Sequence, residues 1–297
     1  PKRLSGLVCL LVLFFALGNR LATAAPESAK NEKGIQAQEL KNLKFGMFIC
    51  WSFSTFSDQE WTPGVKDVSY FNPSGMDTDQ WCRVAKEAGM GYILFLTKHH
   101  DGFCLWDTKT TDWKATKSPL GQDVLAAVKK SCDQYGLKLA LYFSEGDWTW
   151  PGAETPATGS DKFVGGKNAE LKKAQLKELL TQYGPIAYIW FDHAQGDGGL
   201  DHIETAQFVK SVQPDCFVGF NHGQTAGDLR AGEYGKPGPL DNPEAGGFNK
   251  AVSEDYLVAE FAMPILGNQG RWFYTNPGND AVARPAEEIF SLYQEAV

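Results

Sequence analysis

The fold is decided by residues 169–192, which read AELKKAQLKELLTQYGPIAYIWFD. Residues 169–183 predict a helix, and Gly184 and Pro185 end it. The apolar run at residues 186–191 predicts a strand. Because this run is continuous rather than alternating, we expect the strand to be buried on both faces, as in a parallel sheet.

The same order of helix, turn and strand recurs along the chain. Helices are predicted at residues 78–88, 124–135, 169–183, 202–212 and from 286 to the end. Strands are predicted at residues 45–49, 92–96, 137–143, 186–191, 216–220, 256–261 and 272–274. No Gly-x-Gly-x-x-Gly follows the first strand, so the pattern favours a (β/α) barrel over a dinucleotide-binding sheet. Residues 26–44 read as a polar leader and residues 221–255 as a functional loop.

Composition and charge exclude several classes of protein. The 297 residues are 43% hydrophobic, which is too apolar for a disordered chain, and the net charge is −8. The acidic balance argues against a nucleic acid or an anionic membrane as partner. Lys2 and Arg3, the apolar run at residues 7–17 and Ala22-Thr23-Ala24 predict a signal peptide over residues 1–24. We therefore expect a secreted or periplasmic protein without a membrane anchor, with the catalytic domain in residues 25–297.

The cysteines and histidines do not form a metal motif. The five cysteines of residues 25–297 are irregularly spaced without a C-x-x-C pair, which disfavours a structural zinc site. His99 and His100 lack a third convergent ligand nearby in the sequence. We therefore predict neither a metal nor a cofactor. As neighbours on a strand, these two histidines are expected to point in opposite directions.

Polar side chains collect where the predicted strands end, which in a parallel barrel is where active sites lie. Asp192 directly follows its strand, and its carboxylate can serve catalysis, cap the next loop or pair with a cation. The carboxylates at or near such ends are Glu60, Asp192, Glu233 and Glu260. Two carboxyl groups can divide the acid and nucleophile roles of glycosidic-bond cleavage, and tryptophan rings stack on sugars. These residues predict a secreted barrel glycosidase with a glycan or oligosaccharide substrate.

Longer motifs carry a resemblance to a known family. They are FGMFI at residues 45–49, Glu60-Trp61, TKHHDGF at 97–103, Trp106-Asp107, TTDW at 110–113, LALYFS at 139–144 and residues 175–192 with YGPI and WFD. In order and over roughly residues 40–295, the chain resembles the α-L-fucosidases of glycoside hydrolase family 29. The resemblance implies a (β/α)8-like TIM barrel of the α/β class and a retaining exo-glycosidase.

The resemblance also implies roles for single residues. Asp192 occupies the nucleophile position, and Glu233 is our choice for the acid/base, with Glu260 as the runner-up. The residues matching positions that hold the sugar or flank the nucleophile are Glu60, Trp61, His99, His100, Tyr142, Trp190 and His222. Glu145 and Asp147 are outside candidates for the acid/base and are interpreted rather as solvated loop charges.

Three positions depart from the family pattern. Cys50-Trp51-Ser52 stands where the family usually has His-Trp-Gly, His222 stands near a frequent Arg, and His193 follows the nucleophile where Gly is common. A changed set of hydroxyl ligands leaves other α-L-glycosides, such as an L-galactoside or L-glucoside, as alternative substrates. A carbohydrate-binding barrel that has lost catalysis, and a metal-dependent hydrolase using His99, His100 and Glu60, are further alternatives.

The family's eighth strand should follow the last helix, but no such apolar run occurs between that helix and residue 297. We therefore expect a barrel truncated before its last strand. Unpaired edges would remain on strands one and seven, so we expect this chain to fold poorly or aggregate.

Overall fold

The computed structural model describes residues 27–154, 164–192, 196–221, 225–234, 236–267, 271–274 and 282–297. Within these residues the chain has an α/β fold built on one parallel sheet. The signal peptide predicted at residues 1–24 lies outside the described residues. So do His193 and His222.

The sheet has seven strands that pair in chain order. They are β1 (Gly46–Ile49), β2 (Tyr92–Lys98), β3 (Lys138–Ser144), β4 (Tyr188–Asp192), β5 (Phe217–Phe220), β6 (Leu229–Arg230) and β7 (Val258–Ala259). Every neighbouring pair is parallel, and the residues of β2 to β5 are almost all buried. Burial on both faces explains why these strands are continuous apolar runs in the sequence.

Helix α1 precedes the first strand, α7 follows the last, and the others lie in connections between strands. They are α1 (Glu27–Leu43), α2 (Ser54–Ser57), α3 (Thr78–Glu87), α4 (Val124–Tyr135), α5 (Ala169–Gln182), α6 (His202–Val212) and α7 (Ala286–Ala296). Side chains of Asp77, Asp123, Asn168 and Asp201 cap the starts of α3 to α6 by accepting backbone N–H bonds. These caps satisfy donors that the first helical turn leaves open. No described helix is long and apolar enough to cross a membrane.

The sheet curls so that side chains of distant strands meet on its inner face. Phe48 of β1 packs edge-on against Trp190 of β4, with ring centroids 5.9 Å apart. Glu260, directly after β7, accepts hydrogen bonds from Tyr188 of β4 and Tyr92 of β2. Contacts between the first, middle and last strands require a strongly curved sheet. Its concave face therefore encloses a packed interior.

Most of the predicted elements are confirmed, and the differences fall at the start of the chain and in its last third. The strand predicted at residues 272–274 is wrong, because those residues form bends beside an isolated bridge from Arg271 to Leu266. A two-residue strand, β6, lies instead inside the predicted loop of residues 221–255. Strands this short carry no periodicity that a sequence can reveal. The polar leader is largely the helix α1.

Candidate active site

Asp192 is the last residue of β4, and its side chain lies on the concave face of the sheet. The Tyr142 hydroxyl donates a hydrogen bond to Asp192 Oδ2 over 2.7 Å, and His100 Nε2 lies 3.6 Å from the same oxygen. The Asp192 carbonyl accepts from the backbone N–H of Glu145 at 2.7 Å. Donors on one carboxylate oxygen stabilise its ionised form and hold it in one orientation.

His99 and His100 lie together beside this carboxylate. Both follow the last residue of β2, so strand alternation does not separate them, and their ring centroids are 4.1 Å apart. The expectation that they point in opposite directions is therefore wrong. Burial, with His100 as the next cause, holds the pKa of His99 well below its usual range, so His99 is neutral at physiological pH. Its Nδ1 has no hydrogen-bond partner among the described residues, and its ring packs edge-on against Phe273.

Glu233 is positioned three residues after β6 by a parallel bridge to Ala262. Burial raises the pKa of its carboxyl well above the usual range, and the negative charges of Asp192 and Glu60 raise it further. The polar side chain of Asn221 lowers this pKa, in the opposite direction. Burial and the two negative charges outweigh the effect of Asn221, so the protonated form of Glu233 is favoured near the carboxylate of Asp192.

Glu60 approaches the same site from the loop after β1. Its Oε2 accepts the backbone N–H of Trp272 at 3.0 Å, and a further backbone bond comes from Phe273. Burial raises the pKa of Glu60 to about 7, although both backbone bonds and Arg271 lower it. The neighbouring Trp61 is partly buried. Segment 271–274 thus does not form the predicted strand but holds Glu60 in place.

Tyr142 and Trp190 lie beneath the carboxylates. Their rings stack with centroids 5.4 Å apart and an angle of 25° between the planes. Burial raises the pKa of Tyr142 well above its usual range, and the charge of Asp192 raises it further, so the phenol keeps its proton. Trp190 is fully buried. The pair therefore forms the floor of the site, with only the tyrosine presenting a polar atom to Asp192.

Glu260 belongs to a different cluster. It accepts a hydrogen bond of 2.5 Å from the Tyr188 hydroxyl and a longer one of 3.4 Å from Tyr92. Both tyrosines begin their strands, and Tyr188 precedes Asp192 by four residues, a rise of about 13 Å along β4. The carboxyl of this runner-up for the acid/base therefore points toward the opposite end of the interior.

Cys50 follows β1 and lies near the carboxyl groups of Glu60, Glu233 and Asp192. Burial raises the pKa of its thiol well above the usual range, and the charges of Glu60, Glu233 and Asp192 add to the effect. A neutral thiol therefore lies among three carboxyl groups, at the position where the family resemblance leads one to expect an imidazole. A thiol is a weaker hydrogen-bond donor than an imidazole N–H.

Glu145 and Asp147 correct another prediction, because neither is a solvated loop charge. Glu145 pairs with Lys172 of α5, and Asp147 Oδ2 accepts from Lys98 Nζ over 2.8 Å. All four side chains are buried. The two pairs anchor the loop after β3, and the backbone N–H of Trp148 in this loop donates to the His100 carbonyl at 2.8 Å.

Sequence reasoning missed these supporting residues for a physical reason. A lysine at the end of an apolar strand, or within a helix such as α5, reads as solvent-exposed unless its partner is known. Ser144 was also missed as a partner of His100 Nδ1, although the two atoms lie 2.6 Å apart. In the described part of the chain, no three His, Cys, Asp or Glu side chains are arranged to hold a metal ion.

Comparison with known proteins identifies a family model and curated relatives that this chain resembles. The sequence model of the family described as alpha-L-fucosidase matches residues 16–249. Alpha-L-fucosidase 1 of Arabidopsis thaliana is 35% identical over 161 residues, which are 52% of this chain and 29% of that protein. The chain thus spans less than a third of the length of this curated relative.

Two solved structures share the fold. Alpha-L-fucosidase isoenzyme 1 from Paenibacillus thiaminolyticus is 28% identical, with a TM-score of 0.67 over 88% of this chain and 67% of that chain. Alpha-L-fucosidase AlfC from Lactobacillus casei, solved in complex with its α-L-fucose product, has a TM-score of 0.66 at 22% identity, covering 88% of this chain and 87% of that chain. The second likeness, at its lower identity, shows the fold alone. The resemblance stated from the motifs is confirmed, and this chain belongs to the α-L-fucosidase family, glycoside hydrolase family 29.

Proposed function

We propose that this protein hydrolyses terminal α-L-fucosides with retention of configuration, using Asp192 as nucleophile and Glu233 as acid/base. The observation that carries the proposal is the pairing of two unlike carboxyl groups. Asp192 receives hydrogen bonding that favours its ionised form, whereas Glu233 is buried beside that charge and keeps its proton. This division of states is what a retaining glycosidase needs before the first bond breaks.

In the proposed first step, an oxygen of Asp192 attacks the anomeric carbon of the fucosyl group. The glycosidic C–O bond breaks as Glu233 transfers its proton to the leaving oxygen, so a covalent fucosyl-aspartate and a free alcohol result. Water then attacks the same carbon. Glu233, now ionised, takes the proton of this water, and Asp192 leaves as carboxylate with fucose released.

Sugar binding in this proposal falls to the residues around the two carboxyls. His99 Nδ1 has no partner within the part of the chain that the structure describes, and the pKa of Glu60 is about 7, so both side chains can form hydrogen bonds with sugar hydroxyls. Tyr142 and His100 hold Asp192, and Trp190 supports Tyr142 from below. Trp61 and His222 are proposed sugar contacts on the strength of the family pattern. A glycan substrate is consistent with the α-L-fucose bound to the Lactobacillus casei protein.

The position of Cys50 favours a second candidate, an enzyme for another α-L-glycoside. Its thiol lies within the electrostatic reach of all three carboxyl groups, so it lines the same space as the sugar. A hydroxyl that meets a thiol rather than an imidazole loses a strong partner, and such losses change selectivity greatly in buried sites. Aryl α-L-fucoside, α-L-galactoside and α-L-glucoside tested side by side separate the two candidates by kcat/KM.

The proposal also includes a (β/α)8 barrel and an exported protein. The barrel is supported by the parallel chain-order sheet and by a cavity of about 510 Å³ between β1, the segment at residues 260–266 and α7. This cavity lies where an eighth strand would pair with β1. Export is supported by the signal-peptide pattern of residues 1–24.

The nucleophile is tested by Asp192→Gly with an aryl α-L-fucoside. We expect a loss of about a thousandfold or more in kcat, and partial recovery when azide occupies the vacated space and yields fucosyl azide. Asp241→Gly, at an exposed turn, is the matched control and should keep full activity. Unchanged turnover in Asp192→Gly would overturn the assignment.

A further inference from the structure

Ser144 lies between β4, the strand that ends at Asp192, and the pair His99 and His100. It is the last residue of β3, pairs in register with Asp192 of β4, and is fully buried. Its Oγ lies 2.6 Å from His100 Nδ1, and among the described residues it has no other hydrogen-bond partner. The imidazole therefore faces Ser144 with one nitrogen and Asp192 with the other.

The neighbours of both nitrogens of the His100 ring, Ser144 at Nδ1 and Asp192 at Nε2, favour the same tautomer. If Nδ1 carried the proton of a neutral ring, Nε2 would turn a lone pair toward the Asp192 carboxylate. The Ser144 proton would then have no hydrogen-bond acceptor among the described residues. If Ser144 donates to Nδ1, the proton sits on Nε2 and faces Asp192 Oδ2 at 3.6 Å. Every polar atom then has a complementary neighbour. A separation of 3.6 Å is longer than a hydrogen bond but is one that substrate binding can close.

The surroundings of His100 keep its ring in this position. Its carbonyl accepts from the N–H of Trp148, whose indole packs 5.7 Å from the imidazole. The buried Glu145–Lys172 pair holds the residue next to Ser144. Among the described residues, His99, which is neutral, and Asp192 contact His100, and Tyr142 in turn donates to Asp192.

We propose that Ser144 is a positioning residue whose hydroxyl donates to Nδ1 of His100 and thereby fixes the tautomer that presents Nε2–H to Asp192. The proton location is a property of the protein itself. Its effect on turnover rests on the proposed function, because it acts through the nucleophile. A fixed N–H aimed at Asp192 holds the attacking oxygen without a rearrangement during the reaction.

The tautomer is measured directly by long-range ¹H–¹⁵N NMR on protein labelled at histidine, with the His100 signals assigned by their loss in His100→Asn. We expect a bare Nδ1 and a protonated Nε2 in the unmodified protein, because the two nitrogen types resonate far apart. In Ser144→Ala we expect averaged signals of exchanging tautomers. Ser144→Thr should restore the original pattern. A protonated Nδ1 in the unmodified protein, whether as the other tautomer or as imidazolium, overturns the proposal.

Kinetics provide the second measurement. Ser144→Ala should lower kcat by about tenfold with KM changed by less than about twofold, and Ser144→Thr should recover most of kcat. Ser131→Ala, which removes a buried hydroxyl on α4, is the matched control and should leave kcat unchanged.

The outcomes separate this proposal from the proposed function. Should no α-L-glycoside be turned over, the proposed function fails, while the NMR pattern still decides the role of Ser144. If Ser144→Ala keeps the original NMR pattern, Ser144 does not fix the tautomer.

Discussion

Glu233 and Glu260 are two glutamates of one interior with different surroundings. Both follow the last strands of the sheet, and burial raises the pKa of each carboxyl. Glu233 faces the negative charges of Asp192 and Glu60, which raise its pKa further. Glu260 faces hydroxyl donors on Tyr188 and Tyr92, and these lower its pKa, so that it ends at about 7.

The comparison teaches that a raised pKa does not by itself identify a catalytic acid. Desolvation acts on any buried carboxyl, whereas the neighbours decide what the retained proton can do. Glu233 retains its proton beside Asp192, the proposed nucleophile, where that proton can serve catalysis. Glu260 ties together β2, β4 and the end of β7 through tyrosines, which is a structural link.

The largest expected effect separates the two residues directly. Glu233→Gln should lower kcat by roughly 10²- to 10⁴-fold on a fucoside with a poor leaving group, because no proton reaches the departing oxygen. The loss should be smaller for an activated aryl fucoside. Glu260→Gln, the same change at the other site, should keep kcat within about threefold. Equal losses in both variants would contradict the comparison.

The pH profile sharpens the assignment of the acid. The raised pKa of Glu233 means that the protonated form persists toward neutral pH, so kcat/KM should fall on the basic side as this proton is lost. In Glu233→Gln the basic limb should disappear from the remaining activity. A basic limb that persists unchanged in this variant would assign it to another group.

An intermediate effect is expected at Tyr142. Tyr142→Phe removes the 2.7 Å hydrogen bond to Asp192 Oδ2 and keeps the ring that stacks on Trp190. Hydrogen bonds to charged groups contribute more than neutral ones, so we expect kcat to fall by roughly 10- to 100-fold. Tyr183→Phe is the control, because it removes a tyrosine hydroxyl that donates to Asp123 rather than to Asp192. Loss of folding, checked by thermal melting, would invalidate a kinetic interpretation.

The smallest effect concerns stability rather than turnover. The folded pKa of Glu260 is about 7 against an ordinary value of 4.5, so the folded state binds this proton more tightly than the unfolded chain. The contribution to folding is fully present below 4.5 and is lost as the pH rises through 7. Glu260→Gln should therefore flatten the fall of Tm between about pH 5 and about pH 8. An unchanged slope would show that Glu260 does not titrate as described.

Much of the fold could be read from sequence because its strands are long and doubly buried. The units from β2 to β5 have apolar runs, helix caps and turn residues that agree with one another. The two-residue strands β6 and β7 are fixed by their neighbours rather than by pattern. The strand predicted at residues 272–274 was wrong because a short aromatic run does not by itself indicate a strand. Here Trp272 packs its ring against Phe48 of β1 instead.

Several residues that lie together at the candidate site could be proposed from the sequence, but their arrangement could not. Asp192 and the histidines stand at strand ends, where a parallel sheet concentrates polar groups. The burial of Glu145 and Asp147 was not predictable, because Lys172 and Lys98 approach from a helix and another strand. The contrast between Glu233 and Glu260 likewise depends on which side chains face each carboxyl.

The identity of the nucleophile is tested most directly by trapping the covalent intermediate. The protein is incubated with 2-deoxy-2-fluoro-α-L-fucosyl fluoride, and the digested protein is mapped by mass spectrometry. The fluorine at C2 slows both formation and hydrolysis of the covalent intermediate, while the anomeric fluoride is a good leaving group that keeps the first step fast enough for the intermediate to accumulate. We predict one fluorofucosyl group per chain, attached to Asp192, and protection by L-fucose. Attachment to Glu233 or Glu60, or continued turnover of fucosides with no adduct at Asp192, would contradict the proposed mechanism.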